Sequence, residues 1–159
     1  MRRRQKIADG KVIPHLKNYT EVRVRFNEVD SLRYVWHGHY IQYFEDGREA
    51  FGRAFDLGYL RVYDEGYAIP LVRVEVDYKY PLYYGDEAII ETQYVDSLAA
   101  KLIFKFKIYR KSDNVLVAEG RTVQVFTDQN GQLILTIPEF FHQWKLKHNV
   151  IEPAPISID

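Results

Sequence analysis

The chain has one segment with helical periodicity and several with the two-residue alternation of β-strands. Val22, Val24 and Phe26 alternate with charged residues, which predicts a half-buried strand starting near residue 20. Residues 1–19 show no clear periodicity and contain Pro14. We therefore expect them to form an N-terminal extension outside the folded core.

A stripe of large aromatic residues predicts one long helix. Tyr40, Phe44, Phe51 and Phe55 recur at helical spacing, and Gly58 suits the left-handed position that commonly follows a helix. Polar residues lie between them, largely on other faces. An apolar stripe built of rings this large implies that the helix is wrapped by other elements.

Further strands follow the helix. Segments of alternating apolar and charged residues predict strands at residues 72–78, 88–95, 102–109 and 115–126. Asn130-Gly131 predicts a hairpin turn before a short strand at 132–136, and residues 138–145 predict a short helix with Pro138 in its first turn. This order predicts an α+β fold, with one helix packed on one antiparallel sheet.

The length and composition agree with a single domain. The 159 residues fit one domain over 1–159, with a core at about 20–140, and no apolar stretch is long enough to predict a membrane span. Lys plus Arg equals Asp plus Glu at 22 each, which disfavours nucleic acid as a partner.

Two further features bear on location and chemistry. The basic start is not followed by an apolar segment, which argues against a secretory signal peptide. The chain has no cysteine, which excludes disulfides, thiolate catalysis and Cys-based metal sites. The lack of cysteine also fits the cytoplasm, which is the location we predict.

The densest group of polar and aromatic residues joins the first strand to the helix, in the kind of loop where function concentrates. It carries a spaced motif, made of Phe26, Glu28, Asp30, Val35, His37 and Tyr40, followed by Phe44-Glu45-Asp46-Gly47-Arg48. Two later stretches accompany it, Tyr80 to Asp86 with Pro81 and Gly85, and Ala118-Glu119-Gly120 through Phe126 to Pro138. Together these motifs resemble the 4-hydroxybenzoyl-CoA thioesterase family, including its short-chain acyl-CoA members, over about residues 20–140.

The resemblance implies a hotdog fold, in which a long antiparallel sheet wraps around a central helix. It implies hydrolysis of an acyl-CoA or acyl-carrier-protein thioester to a carboxylic acid and a thiol. It also implies a homodimer or a dimer of dimers, with sheets paired edge to edge and substrate at the subunit interface. No cofactor is implied, because coenzyme A enters as part of the substrate.

The resemblance also assigns residues. Asp30 matches the catalytic aspartate, which attacks the thioester or activates water, and the His37 backbone N–H matches the donor that polarises the carbonyl near the helix start. Trp36, Tyr40 and Arg33 are the expected substrate-binding residues. From spacing alone, Asp30 could instead be a turn or capping residue, and at least one of the aromatic rings could pack in the core.

Arg33 departs from the family, which usually has glycine at this place. Glycine allows a positive φ angle and a close approach of substrate, whereas arginine strains such a turn, crowds the pocket or supplies charge for a carboxylated acyl group. This departure leaves open a hotdog protein that binds acyl thioesters without hydrolysing them.

The neighbouring residues also fit other roles. A hydratase or dehydratase would use His39 and Glu45. Glu45 is also a rival catalytic acid, although its spacing from Arg48 suggests an i,i+3 ion pair. His37 and His39 are weak candidates for a metal site, since no third ligand is evident.

Overall fold

The computed structural model describes residues 10–153, which form seven strands and three α-helices. The elements, in chain order, are β1 (Lys11–Arg23), α1 (His39–Phe55), α2 (Tyr59–Asp64), β2 (Tyr67–Ala68), β3 (Leu71–Tyr78), β4 (Glu87–Asp96), β5 (Lys101–Arg110), β6 (Val115–Asp128), β7 (Leu133–Ile134) and α3 (Glu139–Lys147). None of the helices in this part of the chain is long and apolar enough to cross a membrane.

The strands form one antiparallel sheet in the order β1-β4-β5-β6, and β6 continues to β2, β3 and β7 along its length. β6 is long enough to change partners, pairing with β3 over residues 118–124 and with β2 at 127–128. The predicted α+β architecture is confirmed, because a single antiparallel sheet curves around one long helix.

The inner face of the sheet packs on α1 through aromatic rings. Phe44 stacks on Phe106 with ring centroids 4.6 Å apart, and Phe51 contacts Phe104 edge to face at 4.9 Å. Gly47 lies so close to β4 that an added Cβ would lie 2.6 Å from Ile90. The aromatic stripe of the sequence therefore marks the face of α1 that is buried.

The start of the fold differs from the prediction. β1 begins at Lys11, so Lys11 to Tyr19 belong to the sheet and not to an extension. Pro14 lies where the pairing register with β4 shifts, between Val12 and Lys17, and a bulge on an outer strand tolerates its missing N–H. Residues 1–9 of the predicted extension fall outside the described residues. Phe26, which we expected in the strand, lies in a short 3-10 turn and is exposed.

The end of α1 also differs. Asp56, not Gly58, takes the left-handed conformation there, with φ 54°. Gly58 is extended and precedes α2, a helix that the sequence did not predict. Aspartate tolerates the left-handed region better than most residues, so the glycine rule pointed to a position two residues too late.

Candidate active site

The loop before α1 folds back as a small hairpin. Val29 and Val35 form an isolated antiparallel bridge, the Asp30 amide donates to the Tyr34 carbonyl at 2.8 Å, and the Trp36 amide donates to the Glu28 carbonyl at 2.9 Å. This pairing places Asp30 at the tip of the hairpin. From Trp36 the chain passes directly into the first turn of α1, so Asp30 and the helix start belong to one local structure.

The carboxylate of Asp30 stabilises the turn at that tip. Its Oδ1 accepts a hydrogen bond of 2.8 Å from the Leu32 amide, and its carbonyl accepts one of 2.9 Å from the Arg33 amide. The turn-capping role that the sequence left open is therefore observed. Asp30 is half-buried, and within residues 10–153 its Oδ2 has no hydrogen-bond partner. One carboxylate oxygen thus holds the turn while the other stays available.

Arg33 adopts the backbone conformation expected of the usual glycine. Its φ is 68°, in the left-handed region that a residue with a Cβ occupies at a cost of about 1 to 2 kcal/mol. Its side chain is exposed and lines none of the larger cavities of residues 10–153. Arginine therefore strains the turn, one of the effects that the sequence predicted for this position.

His37 lies immediately before the cap of α1. Its carbonyl accepts a hydrogen bond of 2.7 Å from the Tyr78 hydroxyl at the end of β3. Within the described residues its amide has no acceptor, and no side chain caps the helix start at Gly38. A free amide beside the positive end of a 17-residue helix can stabilise a developing negative charge. Sequence reasoning did not identify Tyr78 as the residue that holds this position.

Trp36 covers the start of the helix. It is 48% exposed, and its ring lies 4.7 Å from that of His37 and 5.7 Å from that of His39, centroid to centroid. An added Cβ on Gly38 would overlap the indole ring. Gly38 therefore lets the indole lie against the backbone beside the unbonded amide.

Tyr40 lies in the core. Its side chain is 3% exposed, and its hydroxyl accepts a hydrogen bond of 3.3 Å from the Leu82 amide. Burial raises the pKa of this phenol. In the single chain Tyr40 therefore packs in the core, as the second reading of the sequence expects, and a substrate contact at Tyr40 stays a prediction.

Glu28 anchors the hairpin, a role that the sequence did not indicate. It is 8% exposed, and its Oε1 accepts hydrogen bonds from the Arg25 amide at 2.7 Å and the Tyr43 hydroxyl at 3.1 Å. Burial, together with the adjacent Glu28, raises the pKa of Tyr43. Only its burial distinguishes Glu28 from the other acidic residues of the loop. Burial cannot be read from the sequence, so the sequence did not reveal this role.

Glu45 forms the expected ion pair with Arg48. The Tyr59 hydroxyl also donates to Glu45 at 3.2 Å, and the Arg48 guanidinium lies 4.1 Å from the centre of the Tyr59 ring. These contacts join α1 to α2. Glu45 therefore acts as a structural partner in this chain.

The two histidines do not converge with a third ligand. His39 Nδ1 lies 3.2 Å from Gln42 Oε1, and His37 contacts Trp36 and Tyr78 through its ring. Among residues 10–153 no group of three or more His, Asp or Glu side chains is arranged to hold a metal ion.

Two cavities among residues 10–153 are lined without Asp30. One, of about 840 Å³, opens beside Tyr43 and Asp46 on the β1 side of α1. A second, of about 560 Å³, lies beside α2 at the start of β3, and its lining is almost wholly apolar. We define the apolar pocket by its lining residues, which include Tyr59, Leu60, Tyr63, Tyr67, Ala68 and Pro70. Periodicity gave no sign of either cavity.

The comparison with protein families identifies the relationship. A sequence model described as the thioesterase-like superfamily matches residues 24–145, which include the hairpin, α1 and the sheet from β3 to β6. The chain belongs to the thioesterase-like superfamily. The predicted family and the expected thioester-hydrolysing enzyme are thereby confirmed.

Individual proteins resemble this chain over most of its length. A Bacillus subtilis protein named "Putative acyl-CoA thioesterase YneP" is 25% identical over 134 residues, covering 84% of this chain and 94% of the relative. A DHNA-CoA thioesterase from Staphylococcus aureus has a similar fold, with a TM-score of 0.76 and 20% identity over 84% of this chain and 91% of that one. A hypothetical protein from Thermus thermophilus gives a TM-score of 0.72 with 27% identity, covering 80% of this chain and 94% of its own.

Proposed function

We propose that this chain hydrolyses acyl-CoA thioesters, with Asp30 and the His37 amide acting on the thioester group. The observation that carries the proposal is the hairpin, which joins Asp30 to the start of α1; among residues 10–153, Asp30 Oδ2 and the His37 amide both lack a hydrogen-bond partner. The similarity to an acyl-CoA thioesterase supports coenzyme A as the thiol carrier.

The chemistry follows from these two groups. An ionised carboxylate attacks the thioester carbon directly or removes a proton from the attacking water. Negative charge then develops on the carbonyl oxygen, where the His37 amide and the positive end of α1 lower its energy. Loss of one such donor in other enzymes costs about 3 to 4 kcal/mol of transition-state stabilisation.

Trp36 and Arg33 are the proposed substrate contacts. The Trp36 ring is half-exposed beside the His37 amide, so an acyl group at that amide would meet its apolar face. Arg33 is exposed at the hairpin tip, where its charge would favour an acyl group that ends in a carboxylate. A cytoplasmic location stays a prediction.

The chain is also proposed to be a homodimer that pairs through β3. Among the described strands β3 bonds only β6, so its other edge is open. β3 has neither proline nor lysine, and its residues Leu71, Val72 and Tyr78 are exposed apolar side chains. Both outer strands carry charged side chains, but β1 also has Pro14 and the lysines Lys11 and Lys17, which protect an edge against pairing.

The test is free-thiol release from a panel of aliphatic, aromatic and carboxylated acyl-CoAs. Asp30→Asn keeps an oxygen that can accept from the Leu32 amide, so it removes the charge and spares the turn. We expect turnover to fall at least about a hundredfold. The matched control is Asp56→Asn, which makes the same chemical change at the opposite end of α1. Asp56 itself has a positive φ, as Arg33 has in the turn of Asp30, and this variant should keep wild-type activity.

Two results would contradict the proposal. Saturable binding with no turnover of any acyl-CoA would make the chain a binding protein, in which Asp30 serves only the turn. Hydration of an enoyl-CoA without thiol release would assign the hydratase reaction instead.

A further inference from the structure

The hydroxyl of Tyr78 links the sheet to the start of α1. It donates a hydrogen bond of 2.7 Å to the His37 carbonyl. The Tyr78 ring packs edge to face on the Tyr40 ring at 5.1 Å and lies 6.4 Å from the His37 ring, centroid to centroid. Burial raises the pKa of the Tyr78 phenol, which therefore stays protonated and donates at neutral pH. The hydroxyl thus holds the peptide group between His37 and Gly38 from the side of the sheet.

The sheet gives Tyr78 a firm support. Tyr78 is the last residue of β3 and pairs with Ala118 of β6. Directly after it, the amides of Lys79 and Tyr80 both donate to the Val117 carbonyl, at 2.8 and 3.1 Å. Because the backbone is bonded to β6 both at Tyr78 and after it, the phenol starts from a fixed position. It can therefore hold the peptide group in one orientation.

The peptide group that Tyr78 holds belongs to a type I turn. The His39 amide donates to the Trp36 carbonyl at 2.9 Å, which closes a four-residue turn. Gly38 has φ −68° and ψ −23°, and His37 has no positive φ, so both central residues of the turn are close to the helical conformation. Their two amides therefore point outward together from the start of α1. Among the described residues neither amide has an acceptor.

The hydrogen bond from Tyr78 also polarises the peptide group. It draws electron density toward the His37 carbonyl oxygen, which makes the N–H of the same peptide group, that of Gly38, a stronger donor. We propose that Tyr78 is a positioning residue that aims and strengthens the Gly38 amide, and that this amide joins the His37 amide as a second donor to the thioester carbonyl oxygen. The inference rests on the proposed function and adds one substrate contact and the side chain that controls it.

The second donor acts where charge develops during the reaction. When an oxygen of water or of Asp30 bonds to the thioester carbon, the C=O electron pair moves onto the carbonyl oxygen. The pair returns when the C–S bond breaks, and the sulfur leaves as a thiolate, which takes up a proton from the solvent. The oxygen carries its full negative charge only between these two events. A stronger donor therefore raises kcat and leaves KM unchanged.

Tyr78→Phe tests the hydroxyl. The variant keeps the ring that packs on Tyr40 and loses only the donor to the His37 carbonyl. We expect kcat for acyl-CoA hydrolysis to fall about two- to tenfold at unchanged KM, which is the contribution of one hydrogen bond. The matched control is Tyr80→Phe. Tyr80 is exposed, its hydroxyl makes no hydrogen bond within residues 10–153, and this variant should keep wild-type kcat.

A series of fluorinated tyrosines at position 78 separates polarisation from simple support. Ring fluorines make the phenol more acidic and its hydrogen a stronger donor, while the ring and the hydroxyl remain. At a pH that keeps every phenol of the series protonated, kcat should rise with each added fluorine and KM should stay constant. These proteins keep the hydrogen bond to His37, so the series is informative even if Tyr78→Phe does not fold.

Three outcomes overturn the inference. Wild-type kcat in Tyr78→Phe would show that the hydroxyl does not act on the reaction. The same kcat across the fluorinated series would reduce the hydroxyl to a structural support, and a change in KM alone would assign it to substrate binding. Failure of the proposed function is distinct, because the wild type itself would then release no thiol from any acyl-CoA, and the inference would fall with it.

Discussion

The left-handed turn at Arg33 gives a prediction whose magnitude follows from the structure. Replacing Arg33 with glycine removes the cost of a Cβ at φ 68°, about 1 to 2 kcal/mol. Glycine also loses more conformational freedom on folding, which opposes the gain by about 0.5 to 1 kcal/mol. With the middle value of each range, Arg33→Gly should therefore stabilise the protein by about 0.75 kcal/mol.

Urea unfolding measures this change as a shift in the midpoint at constant slope. The corresponding rise in melting temperature is about 1 to 4 °C for a chain of this length. The matched control is Leu32→Gly, because Leu32 is exposed in the same turn but has no positive φ. Leu32→Gly keeps the backbone amide that donates to Asp30 Oδ1. It should therefore lower the free energy of unfolding only by the conformational entropy that glycine loses on folding, about 0.5 to 1 kcal/mol. If Arg33→Gly lowers the midpoint as much as Leu32→Gly does, the strain argument is wrong.

Three further predictions concern other parts of the fold. Lys145→Met should destabilise by about 3 to 5 kcal/mol in thermal unfolding, because it leaves Asp96 without the buried ammonium that lies 2.8 Å away. Asp46→Asn should stabilise the protein at pH 7, since burial and neighbouring carboxylates raise the pKa of Asp46 in the folded state. That gain should shrink as the pH falls through the raised pKa of folded Asp46, and it should disappear well below about 3.9, the ordinary pKa of aspartate, where the carboxyl is protonated in both states. Gly38→Ala should displace the Trp36 ring and lower kcat/KM by about two- to tenfold at unchanged stability.

Each has an outcome that contradicts it. Wild-type stability of Lys145→Met would mean that α3 does not depend on its ion pair. A stability gain for Asp46→Asn that persists at low pH would come from packing and not from charge. Unchanged kinetics in Gly38→Ala would show that the position of the indole does not matter to the reaction.

The sequence by itself determined the architecture and the location of the candidate chemistry. The aromatic stripe from Tyr40 to Phe55 predicted α1, and two-residue alternation predicted the four long strands after it, because side-chain periodicity directly reflects which face is buried. The motif around Asp30 and His37 also predicted the loop and its family, since the resemblance depends on residue types at fixed spacing.

Only the tertiary structure decided how those residues are used. Glu28 anchors the hairpin, and Tyr40 lies in the core. β1 starts at Lys11, nine residues before the alternating segment that begins near residue 20, because β4 supplies the hydrogen bonds of its first part. The free edge of β3 and the apolar pocket at its start likewise depend on which strands pair and where each strand ends. Such features arise from contacts between residues distant in the chain, and local periodicity carries no information about those contacts.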